Sequence, residues 1–279
     1  MAQASVSGAP PDDDAHREAG RSPLLDSLAT QALAQVAGRF RAGRADPDGS
    51  ALDRLYFAAI GADPRACAEV ARALIADGVA ADRICDVHIP AVARRMGEDW
   101  VGDDLSFSAV TIGTARLQGL LRELDMAMER SVGPSTGGGA ILLVVAAGAD
   151  HTLGALVLAS QLRRKGLSVR LSLGEDLAAL AEAVTRAPCD AVFLSATVAS
   201  SMPFLIDAAA TIRGAMPAPP PLVLGGALLA IEGRALAEGG TRGGAHGGGR
   251  AVGAAFGSID HVTCDPDEAI RLCGLTAAS

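Results

Sequence analysis

The chain has 279 residues, 49% of them hydrophobic, with a formal net charge of −8. No apolar run is long enough to span a bilayer, and the acidic balance without a long Lys/Arg stripe speaks against direct binding to nucleic acid. Five dispersed cysteines (Cys67, Cys85, Cys189, Cys264 and Cys273) include no Cys-x-x-Cys pair, which suits a reducing cytoplasm better than a disulfide framework or a zinc site.

In chain order, residues 1–22 are rich in Ala, Gly, Pro, Ser and Asp and read as a disordered tail, neither a secretory signal nor a transit peptide. Residues 23–130 read as helical throughout. SPLLDSLATQALAQVAGRF opens on a Ser cap and a Pro in the first turn. SALDRLYFAAIGA, DPRACAEVARALIADG and ICDVHIPAVARRMGEDWVGDD follow, and then SFSAVTIGTARLQGLLRELDMAME, where Val110, Leu117, Leu120, Leu121 and Leu124 recur at helical spacing. Five amphipathic segments with short connections make a helical bundle. SVGPSTGGG, residues 131–139, reads as a flexible linker.

From residue 140 the texture changes. Strands are expected at 140–147, 168–173, 191–196, 222–224 and 261–264, and helices at 153–165, 175–186, 202–215 and 267–275. Such alternation predicts an α/β domain with a five-stranded, parallel, doubly wound, flavodoxin-like sheet of order 2-1-3-4-5. Residues 237–257, EGGTRGGAHGGGRAVGAAFGS, read as a mobile glycine-rich insertion. The cations Arg163, Arg164 and Lys165 end a helix, where they suit its macrodipole.

In that sheet order the crevice opens at the carboxyl ends of the first and third strands. His151, in GADHTLGA, follows the first strand; Ser195 ends the third; Gly225 and Gly226 end the fourth. Catalytic base, metal ligand and loop residue are all open to an imidazole there. A phosphate loop and a dinucleotide fingerprint are both absent. A receiver's acceptor aspartate is replaced by Ser195, and LSATVAS holds no nucleophile elbow. No catalytic residue is identified, and the chain is read as a non-enzyme.

What remains is His151-x-x-Gly154, then Ser195-Ala-Thr197, then Gly225-Gly226. The set resembles, in residue type and spacing, the cobalamin-binding pattern Asp-x-His-x-x-Gly, Ser-x-Leu, Gly-Gly. The resemblance implies that His151 is the lower axial ligand of cobalt, replacing the cofactor's nucleotide base. Asp150, Thr152, Leu153 and Gly154 would flank it, and the freed nucleotide tail would pass Ser195, Thr197, Gly225 and Gly226. Neutral imidazole is a good ligand for such a metal, and small residues are expected to leave room for the tail. Two positions depart from the pattern. Ala149 stands where the aspartate that tunes the histidine belongs, and Thr197 replaces an apolar residue, at little expected cost.

The helical half is similar to the cap of methionine-synthase-like and light-sensing cobalamin proteins, where a Trp in a GxxW pattern covers the upper corrin face. Trp100, in GEDW, takes that place. Val110 and Thr111 stand where light-sensing relatives carry Glu-His, so that helix offers cobalt no strong upper ligand. Water, or His16, His88 or His246 brought in by loop closure, would occupy the position. A bulky upper ligand would require the cap to open across the linker.

The stretches IPAVARRMGEDWVGDDLSFSAVTIGTARLQGLLREL, DHTLGALVLASQLRRKGLSV, SATVASSMPFL and DHVTCDPDEA together resemble the AerR/PpaA-type regulators of purple photosynthetic bacteria. That resemblance implies a cytoplasmic, cobalamin-binding antirepressor without a DNA-reading module. It would act through a PpsR/CrtJ-type repressor to control photosystem and tetrapyrrole genes. Light would enter by photolysis of adenosylcobalamin to hydroxo- or aquocobalamin. The alternatives are a corrinoid methyl carrier of a methyltransferase system and a haem-binding redox sensor using the same histidine.

Overall fold

In the computed structural model the described residues are 49–132, 138–146, 152–197, 201–227 and 258–276. Helices come first: α1 (Gly49–Ile60), α2 (Ala66–Ala76) and α3 (Ala81–Arg83), which continues through a π-helical turn (Ile84–His88) into α4 (Ile89–Val101). The wide turn has a local cause. Pro90 donates no backbone hydrogen bond, and its ring would crowd the carbonyl of Asp86 in a regular helix; widening the preceding turn relieves both. After a tight connection in which Asp103 takes a positive φ of 61°, Ser106 Oγ accepts from the amide of Ala109 and starts α5 (Phe107–Val132).

The second half alternates: β1 (Ala140–Val145), α6 (Leu153–Arg164), β2 (Ser168–Leu173), α7 (Leu177–Arg186), β3 (Ala191–Ser195), α8 (Met202–Ala215), β4 (Leu222–Gly225), β5 (His261–Val262) and α9 (Pro266–Leu272). The strands form one parallel sheet in the order β2-β1-β3-β4-β5, as the alternation predicts. AILLVV and AVFLS are nearly continuous apolar runs because helices cover both faces of β1 and β3. Asp176 caps α7 by accepting from the amide of Ala179, and Asp265 caps α9, with Pro266 in its first turn.

Three apolar clusters hold these layers. Leu142, Val144 and Leu194 pack under α7 and α8, while Ile141, Leu143 and Phe193 pack under α6 and α9. The third cluster belongs to the helices, with Leu55, Ile84, Met96 and Leu117, yet it also takes in Leu153 and Val157 of α6. So α6 is buried on two sides: Ala155, Ala159 and Leu162 face the sheet while Leu153 and Val157 face the helical cap. Near its carboxyl end, Ser160 Oγ donates to Asp125 of α5 at 2.5 Å, and Arg164 bridges Asp125 and Asp86. The π-helical turn, α5 and α6 are tied at one polar point.

The sequence treats residues 131–139 as a flexible linker, and both ends of that stretch are built into the fold. Ser131 continues α5, and a Cβ on Gly138 would collide with the backbone of Gly166. The glycines admit a close approach of chain to chain there. The described cap and sheet lie within one compact unit, Asp46–Ser279. The expected tail, the first expected helix and the 237–257 insertion lie outside the described residues. Among the described residues no helix is long and apolar enough to cross a membrane.

Candidate functional site

The carboxyl ends of three central strands are level. Val145 of β1 pairs with Ser195 of β3, and Ser195 pairs with Gly225 of β4. Ser195 is only 7% exposed and lines a cavity of about 50 Å³ whose floor is Leu143, Phe193 and Val223. Gly225, Gly226 and the turn Thr263–Pro266 close its rim. This is the crevice that the strand order predicts. His151 and Asp150, the centre of the sequence pattern, lie outside the described residues, as does Ala149.

The two glycines also serve the packing of the chain itself. Gly226 has a φ of +114°, and a Cβ there would collide with the carbonyl of Ala196. At Gly225 a Cβ would stand 2.8 Å from the carbonyl oxygen of Thr263. Their missing side chains let the ends of β3, β4 and β5 close on one another. Gly154 is the contrast: a Cβ there would meet nothing within 4 Å, which leaves the first turn of α6 open.

Thr197 also departs from expectation. Its hydroxyl is buried and has no hydrogen-bond partner among the described residues. Such a group costs about 1–3 kcal/mol, so the substitution for an apolar residue is not cheap unless something binds the hydroxyl.

Thr152 occupies the N-cap position of α6, with αR backbone angles and no capping hydrogen bond. Its Oγ1 instead accepts from Gln118 Nε2 of α5 at 3.1 Å. Leu153 follows as a member of the cap's core. Nothing in the sequence pattern marks Gln118, which sits among ordinary polar positions of an amphipathic helix.

Along α5, Phe107, Thr111 and Gln118 recur at i, i+4 and i+11 and share one face. Phe107 stands roughly 16 Å along the axis from the contact with Thr152. Trp100, at the end of α4, is 44% exposed and lies 6.1 Å from the Phe107 ring, tilted by 56°. Phe107 is itself 69% exposed. Thr111 donates its hydroxyl to the Phe107 carbonyl. Val110 is half-buried on the same turn. The end of α4 is fixed by Tyr56, whose hydroxyl donates to Asp99 at 2.5 Å while Arg95 lies over its ring. Burial, then the Asp99 contact, pushes the Tyr56 hydroxyl up to about 12, so it stays a donor.

His88 leaves the set that loop closure would bring to a metal. It is 1% exposed inside the π-helical turn, with Nδ1 3.3 Å from the Arg83 carbonyl. His16 and His246 lie outside the described residues. Among the described residues no group of three or more His, Cys, Asp or Glu side chains is placed to hold a metal ion.

No family model matches the chain. Over 153 residues, 55% of its length, it is 31% identical to an uncharacterized 20.5 kDa protein in the bchF-crtJ intergenic region of Rhodobacter capsulatus, of which the match covers 80%. The monomethylamine corrinoid protein of Methanosarcina barkeri superposes with a TM-score of 0.60 and 15% identity, over 81% of this chain and 97% of that one. A cobalamin-binding protein from Desulfitobacterium hafniense DCB-2 aligns over 80% of this chain and 97% of that one at 16% identity with a TM-score of 0.37. The likeness to the Methanosarcina protein is one of fold, and in this chain that fold is a helical region followed by a five-stranded parallel sheet.

Proposed function

Because the chain belongs to the family of the 20.5 kDa protein from the bchF-crtJ region of Rhodobacter capsulatus, we propose that it is a cobalamin-binding regulator that acts on a PpsR/CrtJ-type repressor. One observation carries the cofactor reading. The strand ends Ser195 and Gly225 border an apolar cavity, and the hydroxyl of Thr197, two residues beyond Ser195, has no partner among the described residues. The residue types fit a corrinoid: hydroxyls beside an apolar floor on the tail's side, an open helix start at Gly154, and an aromatic pair on the cap for a flat ring.

In this reading His151 is the lower ligand and Ser195 and Thr197 donate to the tail. Thr152 and Leu153 carry the seating of the cap into the histidine loop. Trp100 and Phe107 exclude water from the upper face and limit the size of what fits there. When bound, adenosylcobalamin supplies a cobalt–carbon bond that light breaks, exchanging a bulky upper ligand for a small one. The chain's part is differential: the cap packs better over the small ligand, and that preference shifts its surface toward the state that engages the repressor. Val110 and Thr111 add no strong ligand, so the response stays a packing event.

The location of the relative's gene beside crtJ supports a repressor of that type as partner. A second reading, a methyl-carrying corrinoid protein, is favoured by the shared fold with the Methanosarcina protein. Purified protein mixed with hydroxocobalamin, adenosylcobalamin or haem tests these readings by its visible spectrum after desalting. Retained cobalamin, lost on His151→Ala, is expected. Retention of haem alone sinks the corrinoid reading. Methyl transfer to an acceptor from a methylated cofactor, with no effect on the repressor, favours the carrier.

A further inference from the structure

The cavity at the strand ends, at about 50 Å³, is too small for what the corrinoid reading asks of it. One water needs roughly 10–15 Å³ of such space, so the cavity suits a few waters and not a heteroaromatic base with its ribose. Among the described walls, one must therefore move. Leu143, Phe193 and Val223 belong to three strands paired with each other, and Leu158 belongs to α6, which is packed on both sides. The fourth wall is the turn Thr263–Pro266, which has fewer bonds to the sheet itself, its other anchors being the buried Ala269 and Ile270 of α9 and the Asp267–Lys165 ion pair. β5 pairs over two residues only, and α9 behind it has seven. The turn touches the rim through the Thr263 amide on the Leu224 carbonyl at 3.0 Å and the Cys264 thiol on the Gly226 carbonyl at 3.5 Å. A thiol is a weak donor. Gly225 forms the seat, since only a missing Cβ lets the Thr263 carbonyl come so close.

Resting on the corrinoid reading, we propose that the turn Thr263–Pro266 swings out to admit the nucleotide tail, and that the Cys264 side chain then lies against that tail. Cys264 is a cofactor-contact residue that reads the tail and not the corrin ring. It is the exposed one of the five cysteines, Cys67 and Cys85 being buried and Cys189 and Cys273 half-buried, so reagents in solution reach it. Burial against the rim holds its thiol above the ordinary range, which slows modification without preventing it.

The test uses the full chain and a thiol alkylator, with modification at each cysteine followed by peptide mass mapping. Hydroxocobalamin should slow modification of Cys264 by about tenfold. Cobinamide, the same ring without the nucleotide tail, should leave it unchanged, and neither should alter Cys273. A second variant checks fit: Cys264→Phe should weaken cobalamin by about tenfold and leave cobinamide unaffected. Cobalamin retained with Cys264 unprotected, or equal protection by cobinamide, overturns this inference alone. Retention of neither corrinoid by the unaltered chain overturns the corrinoid reading and this inference with it.

Discussion

Gln118 of the cap donates to Thr152 at the start of α6, 3.1 Å away, and Thr152 thereby gives up capping its own helix. The cap is thus tied to the segment next to the candidate histidine by one neutral hydrogen bond, while the other end of α6 is tied by the charged Arg164. Neutral bonds are worth about half of charge-assisted ones. Of the two polar ties, the one near the site is the weaker.

Gln118→Ala should therefore destabilise the protein by only about 1 kcal/mol. It should also speed amide hydrogen exchange in the first turn of α6, without changing exchange around Ser160. Thr152→Val should match it, and the double variant should add nothing further. Additive losses in urea unfolding would show that the two side chains do not act as a pair.

Asp125 gives the fold a pH signature. Burial raises its carboxyl above the ordinary range, with Ser160 and Arg164 pulling the other way. A folded value above the unfolded one favours the folded state when the group is protonated. The contribution is full below the ordinary carboxylate range, about 4, and is lost as pH rises through the elevated folded value. Asp125→Asn cannot titrate. The stability difference between wild type and variant should therefore shift in favour of wild type as pH falls from about 7 toward 4. A pH-independent difference in urea midpoint would contradict the buried placement.

A chain of net charge −8 releases few counterions from DNA. In a mobility-shift assay, a promoter fragment should move only when the repressor is added, and this protein should alter that shift. Sequence-specific retardation by the purified chain alone, at physiological salt, would remove the antirepressor reading.

The proposed reading sets Trp100 and Phe107, whose rings lie 6.1 Å apart, over the upper face of the corrin. In darkness hydroxocobalamin should bind more tightly than adenosylcobalamin, and illumination should promote binding of the latter. Trp100→Ala should reduce the difference to within about threefold, roughly 0.7 kcal/mol. Equal dark affinities in the unaltered chain would discard the steric account.

The sheet was legible because a parallel sheet writes itself as apolar runs alternating with amphipathic helices, and the level ends at Ser195 and Gly225 follow from strand order. The chain does not announce partners. Leu153 and Val157 look like any apolar positions of a helix, and nothing local says that they face the cap while Ala155 faces the sheet. Gly225 and Gly226 likewise signal close approach without saying by what, and the approaching group is the backbone of this chain. The π-helical turn had a legible hint in Pro90, since a proline inside a helical pattern demands some local adjustment. Gln118 had none.

The two-sided burial of α6 also bears on inheritance. A gene segment encoding β1 onward, transplanted without the cap, would carry Leu153 and Val157 into water as an apolar stripe and leave Arg164 without Asp86 and Asp125. The sheet half is thus a poor module for recombination, and a lineage can exchange its cap only for another that offers α6 the same apolar surface and the same pair of carboxylates.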